Sequence, residues 1–214
     1  MVVIENTQNQ CGGVPIERDY MERLGRLTRK FGLFLHVDGA RIFNAAIALH
    51  SSAKELTRIA DSVTFCLSKG LCAPVGSVLC GSKEFIQAAR RYRKMLGGGM
   101  RQSGILAAAG IVALDTMIDR LADDHQRATI LAENLSTIPG FSLSKGMPRS
   151  NMVFLHVDRA VFPDLKLLKK KLEKEGILIG YSGPEEMRLV THYWITDASV
   201  AHVIESWKNL HAKG

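Results

Sequence analysis

Two short blocks each follow an apolar run: His36-Val-Asp-Gly-Ala-Arg41 and Leu67-Ser-Lys-Gly70. They set an acid, Asp38, and an amine, Lys69, at the ends of two expected strands, with room for one helical crossover between them. Parallel strands joined in this way end on the same sheet edge, where open α/β sheets hold their ligands. A lysine there can form an imine with an aldehyde. A carboxylate there can keep a pyridine nitrogen protonated, so that the ring takes up electrons. Gly39, lacking a Cβ, is expected to let a flat ring approach the backbone. Arg41 adds a planar guanidinium suited to bidentate recognition of a carboxylate.

Other signals are less specific. The triplet His-Val-Asp recurs at His156-Val-Asp158 without the Gly-Ala-Arg that follows the first copy. No third ligand stands at metal-binding spacing from either copy, so no metal site is expected. Arg188 is isolated in Met187-Arg-Leu-Val-Thr-His192. It reads either as a strand-end cation paired with Glu185 or Glu186, or as an anchor for a substrate carboxylate. Gly97-Gly-Gly-Met-Arg-Gln-Ser-Gly104 leads into a helix N-terminus, where unpaired N–H groups attract anions. A plain hinge explains that loop equally well.

The elements that must position these residues follow from periodicity and punctuation. Val2–Ile4, Leu33–Val37, Ser62–Leu67 and Gly76–Cys80 read as strands. Pro15 opens a helix that Gly32 closes, Ile42–Leu49 is helical, and Ser52-Ala-Lys-Glu55 is a capping box. Apolar strands alternating with helices indicate a parallel sheet covered on both faces. Lys83–Leu96 is an amphipathic helix, and small residues from Gln102 to Leu114 predict a closely packed one. After Thr116 the pattern changes. Helices over Asp119–Ser136 and Asp164–Glu175, strands over Ser150–His156, Ile177–Ile179 and Met187–Thr191, and a last helix capped by Asp197 describe a second, α+β unit. The expected domains are residues 1–117 and 118–214.

The chain has 214 residues, enough for one large or two modest cores. No apolar run spans a bilayer and Glu5 breaks any signal-peptide core, so a cytoplasmic protein is expected, with no membrane partner. Cys11, Cys66, Cys72 and Cys80 lack disulfide or zinc spacing, and Cys66 and Cys80 are expected to be buried thiols. The net charge of +7 is concentrated in Arg90–Lys94 and Lys166–Lys174. Both read as solvated helix faces, and no nucleic-acid signature accompanies them.

Taken together, Glu5-Asn-Thr-Gln-Asn9, His36 to Asn44, Cys66-Leu-Ser-Lys-Gly-Leu71, Arg93-Lys-Met95 through Gly104, and Arg188-Leu-Val-Thr-His192 resemble the low-specificity L-threonine aldolases, which are fold-type I pyridoxal-phosphate enzymes. The resemblance runs in order along essentially the whole chain. It implies an incomplete, mostly parallel sheet of the large domain followed by a C-terminal α+β small domain. It implies pyridoxal 5'-phosphate as cofactor, with Lys69 bonded to its aldehyde and Asp38 on its ring nitrogen. Arg41 and Arg188 would hold the substrate carboxylate, and Arg101 would lie near the cofactor phosphate or a neighbouring subunit. The implied reaction is retro-aldol cleavage of L-threonine or L-allo-threonine, β-hydroxy amino acids, to glycine and acetaldehyde by a homo-oligomer, a dimer or tetramer.

Members of this family begin well before the segment that starts here. The preceding part supplies a phosphate-binding glycine/threonine turn, a ring-stacking histidine and part of the subunit interface. Two alternatives follow: a non-catalytic chain that associates with longer aldolase subunits, or another pyridoxal-phosphate lyase of β-substituted amino acids.

Overall fold

The computed structural model describes residues 1–210, which divide into two compact units. Met1–Thr7 and Pro15–Leu121 form unit 1; Gln8–Val14 and residues 122 onward form unit 2. No sequence feature announces the excursion of Gln8–Val14 into the second unit.

Unit 1 is built on a four-stranded sheet of β1 (Val2–Glu5), β2 (Leu35–Asp38), β3 (Ser62–Cys66) and β4 (Ser77–Gly81), in that spatial order. β1, β2 and β3 are parallel, with Val3 opposite His36 and Val37 opposite Val63. β4 runs antiparallel to β3, because the Leu67–Gly76 connection is a tight return with no crossover helix. The sheet is therefore mixed, and the expectation of a purely parallel one is corrected at β4.

Residues alternate across β2: Leu35 and Val37 are buried, whereas His36 and Asp38 are half-buried on the other face. That face also carries Thr64 and Cys66, with Val3 and Leu79 exposed on their strands, so it is not covered as expected. Cys66 is half-buried and Cys80 exposed. β1 and β4 are edge strands whose apolar residues have few neighbours to pack on, which explains both departures.

The helices of unit 1 are α1 (Arg18–Lys30), α2 (Ile42–Ala48), α3 (Ala53–Thr57), α4 (Lys83–Met95) and α5 (Gly104–Thr116). α1 starts three residues after Pro15 and buries Met21, Gly25 and Thr28, one stripe at helical spacing. The Ser52–Glu55 capping box opens α3. Ile42, Ala45 and Ala46 of α2 and Leu56 of α3 form one cluster; Leu67, Leu71, Ala73, Ala113 and Leu121 form another. α5 buries only Gly110 and Ala113, less than its composition suggests.

Unit 2 comprises α6 (Leu121–Leu135), β5 (Phe141–Leu143), β6 (Met152–Val157), α7 (Leu165–Lys174), β7 (Gly180–Gly183), β8 (Glu186–Val190) and α8 (Asp197–Lys208), α6 starting on the last residue of unit 1. Its sheet is antiparallel throughout, in the order β5-β6-β8-β7. The third strand of the sequence reading moves: Ile177 and Ile179 are buried core residues in a connection, and β7 begins at Gly180. Thr196, with Ser199, caps α8, and Asp197 is its first helical residue. The core joins Leu131, Leu135, Leu155, Leu172, Met187 and Trp207, so the unit has its own apolar centre.

Candidate active site

Asp38 is the last residue of β2, opposite Glu5 on one side and Thr64 on the other. The backbone there is tied twice: Asn6 N donates to the Asp38 carbonyl at 2.9 Å, and Gly39 N to the Thr64 carbonyl at 2.7 Å. Ala40 N donates to Asp38 Oδ1 at 3.1 Å, which fixes the carboxylate at the strand end. Upstream on the same face, His36 Nδ1 lies 2.8 Å from Ser62 Oγ and Nε2 lies 3.4 Å from Thr64 Oγ1. Gly39 has a reason other than the expected one. A Cβ there would stand 3.0 Å from both the Thr64 carbonyl and Ile42 Cβ, so internal packing against β3 and α2 requires glycine. Arg41 occupies the N-cap position of α2 and is half-buried.

Lys69 follows β3 in the return that leads to β4. Leu67 N donates to the Gly76 carbonyl at 2.9 Å, Ala73 N to the Leu67 carbonyl at 3.0 Å, and Cys72 N to the Lys69 carbonyl at 3.0 Å. Cys72 takes the left-handed conformation (φ 59°) that closes the inner turn. Leu67, Leu71 and Ala73 are buried beneath this turn, while Lys69 is exposed. A Cβ on Gly70 would lie 2.7 Å from Leu121 Cδ2 and 3.5 Å from Asn44 Oδ1 of α2. The lysine turn is thus seated against the helix that starts at Arg41. β2 and β3 are parallel neighbours, so Asp38 and the Lys69 turn leave the same sheet edge.

Arg101 is exposed in the glycine-rich segment before α5, next to Gln102 in a left-handed conformation (φ 50°). Arg188 belongs to unit 2, on β8 between Phe154 of β6 and Gly180 of β7. It pairs with neither Glu185 nor Glu186: its Nη1 donates to Asn9 Oδ1 at 2.6 Å. Asn9 escaped notice as a functional residue. The signal that marked it was the Gly12-Gly13 pair, both at positive φ, which shapes its loop. Among the described residues no cluster of His, Cys, Asp or Glu could hold a metal ion, and no helix is long and apolar enough to cross a membrane.

A carboxylate and an amine on one edge of an open α/β sheet define the class: the fold is that of the type I pyridoxal-phosphate enzymes. Solved structures agree. A putative aromatic amino acid beta-eliminating lyase/threonine aldolase from Exiguobacterium sp. superposes with a TM-score of 0.78 at 26% identity, covering 95% of this chain and 61% of that one. A putative L-allo-threonine aldolase from Listeria monocytogenes gives 0.80 at 21% identity, over 97% and 60%. The family model described as beta-eliminating lyase matches residues 1–159, and the chain belongs to that family. It is 41% identical over 210 residues to a probable low-specificity L-threonine aldolase of Arabidopsis thaliana, and 42% over 208 residues to the low specificity L-threonine aldolase of Escherichia coli K12. These alignments cover 98% and 97% of this chain but 59% of each relative, so the chain spans about three-fifths of their length.

Membership of the family implies pyridoxal phosphate, and the residues present fit it. The cofactor carries an aldehyde, a basic ring nitrogen and an anionic phosphate. Unit 1 offers an accessible amine on a closed turn (Lys69), a carboxylate held by a backbone amide (Asp38) and the cations Arg41 and Arg101.

Proposed function

We propose that the chain carries the lysine-bearing part of a pyridoxal-phosphate lyase that splits L-threonine and L-allo-threonine into glycine and acetaldehyde, in a cytoplasmic, glycine-forming step of amino-acid metabolism. Residues 1–117 then form the C-terminal portion of the large domain and 118–214 the small domain. The delivery of Asp38 and the Lys69 turn to one sheet edge carries this reading, and the two relatives above, named threonine aldolases, give the substrate class.

Each residue has one task. Lys69 holds the cofactor through Nζ and yields its place to the substrate amine. Asp38 keeps a proton on the ring nitrogen. Arg41 and Arg188 grip the substrate carboxylate, and Arg101 faces the phosphate or a neighbouring subunit. The bound cofactor supplies an electron-accepting ring. Holding the carboxylate sets the Cα–Cβ bond in the orientation in which its electrons are accepted, so positioning carries much of the rate. A homo-oligomer is part of the proposal, supported by the exposed apolar stripe of α5, where Ile105 is 84% and Val112 59% exposed.

Borohydride reduction of the protein mixed with pyridoxal phosphate tests the assignment. Peptide mapping should find the reduced adduct on Lys69, and Lys69→Ala should lose it together with glycine release from L-allo-threonine. Asp38→Asn should keep the adduct and lose roughly a hundredfold or more in turnover. An adduct of equal yield on another lysine in Lys69→Ala overturns the reading.

A further inference from the structure

We propose that Asn9 is a positioning residue for Arg188, which it orients without cancelling its charge. The proposal rests on the reading of Arg188 as a carboxylate anchor. Arg188 Nη1 donates to Asn9 Oδ1 at 2.6 Å, across 179 positions of sequence. A guanidinium has five N–H donors in a fixed fork, and this bond uses one of them. The edge formed by Nε and Nη2 is left for the two parallel hydrogen bonds that a carboxylate accepts.

The identity of the acceptor matters. Asn9 is neutral, so Arg188 is fixed in orientation while its full positive charge stays available. Among the described residues no carboxylate forms an ion pair with Arg188. The nearest acid on its own strand face is Glu186, two residues away, and that group is otherwise engaged. It accepts from Ser144 Oγ at 2.6 Å and Ser182 Oγ at 2.8 Å and pairs with Lys145 Nζ at 3.3 Å. Burial alone would raise the Glu186 pKa. The two hydroxyls and Lys145 outweigh it and hold the carboxyl below its ordinary range, so it stays ionised on those partners.

The loop that presents Asn9 is built for a fixed shape. Gly13 N donates to the Gln8 carbonyl at 3.0 Å, Gly12 N to the Asn9 carbonyl at 3.3 Å, and Cys11 N to Gln8 Oε1 at 2.6 Å. Gly12 and Gly13 have φ of 85° and 65°, values that L side chains resist. The buried Ser150 Oγ donates to the Gly13 carbonyl at 2.7 Å, and a Cβ on Gly13 would lie 2.7 Å from that same oxygen. The excursion of Gln8–Val14 into unit 2 thus delivers one side-chain acceptor to one arginine.

The test compares Asn9→Ala, Asn9→Asp, Arg188→Ala and the double variant Asn9→Ala/Arg188→Ala in the pyridoxal-phosphate-loaded chain. Asn9→Ala is expected to raise KM for L-allo-threonine about tenfold with kcat changed much less, the size of one hydrogen bond to a charged group. Asn9→Asp keeps the shape and the acceptor but adds a charge that competes for Arg188. It should therefore be at least as impaired as the alanine variant, whereas a loop-shaping role predicts that it behaves as the parent. The double variant should be no worse than Arg188→Ala. Nitrogen-15 NMR gives a readout independent of turnover: rotation about the Arg188 Cζ–Nη1 bond should be slow in the parent and fast in Asn9→Ala. An unchanged KM in Arg188→Ala removes the carboxylate role and this proposal with it. A raised KM in Arg188→Ala with parental KM or parental guanidinium rotation in Asn9→Ala overturns the proposal alone.

Discussion

His125, on α6, is partly withdrawn from water, and burial lowers its pKa from 6.5 to about 4. Burial disfavours the charged imidazolium, so the folded chain refuses a proton that the unfolded chain accepts. Above pH 6.5 both states are neutral at this residue and it adds no pH dependence. As pH falls from 6.5 towards 4 only the unfolded state takes up the proton, and stability drops. Below about 4 both states are protonated and this contribution levels off. At about 1.4 kcal/mol per pKa unit the full loss is roughly 3 kcal/mol. Urea unfolding across that range should show the decline, and His125→Gln should flatten it. A parental slope in the variant would assign the acid lability to other groups. At this scale the sequence was most informative where chemistry and strand ends coincide. Asp38, Arg41 and Lys69 stand out because a charge at the end of an apolar run has few structural uses. Asn9 did not, because its meaning depends on Arg188, and no local pattern links residues so far apart. Gly39 was noticed for the wrong reason: a glycine next to a ligand and one pressed against a carbonyl look alike in one dimension.

Helix α1 shows how packing decides what an element tolerates. Gly25 lies inside it, where glycine costs about 1 kcal/mol relative to alanine. A Cβ at Gly25 would nevertheless stand 2.1 Å from Ile59 Cγ1 and 2.9 Å from Cγ2, so the helix is held there by closeness to the segment after α3. Gly25→Ala should therefore destabilise the protein by about 1–3 kcal/mol despite its better helix propensity. Gly25→Ala/Ile59→Ala, which removes the clashing γ carbons, should lose less than the sum of the single changes, measured by chemical denaturation. Strict additivity would show that the two sites do not meet. Signals carried by neighbouring residues were well read at this scale: the Ser52–Glu55 capping box and the glycine stops at Gly32 and Gly176 all sit at their helix ends. Signals that depend on partners were not. Ile177–Ile179 has a strand's composition but no partner for pairing, and β4 reverses because its connection is too short for a crossover.

For the whole chain, the two units differ in how fully they use their apolar residues. Unit 2 encloses a core around Trp207, Leu155 and Met187, all buried. Unit 1 leaves α5 with two apolar stripes, of which one is used. Gly110 and Ala113 are buried, while Ile105, Ile111 and Val112 are 84%, 60% and 59% exposed. Single exposed apolar residues mean little, but three on one short helix, whose polar residues are confined to Asp115 and Thr116, form the kind of patch that associating proteins cover. Composition could not reveal this, since a small-residue helix reads the same whether its neighbour is its own chain or another. A second copy covering α5 predicts self-association, and a charge placed in the stripe should abolish it, because an uncompensated carboxylate is costly to bury in an apolar contact. Sedimentation equilibrium should give a multiple of the chain mass for the parent. Ile105→Glu and Val112→Glu should each shift the protein to the single-chain mass, while the melting temperature of the separated chain stays close to that of the parent at high dilution, because neither side chain is buried within its own unit. A parent that stays monomeric at tens of micromolar leaves the stripe to some other partner and removes the homo-oligomer from the functional proposal.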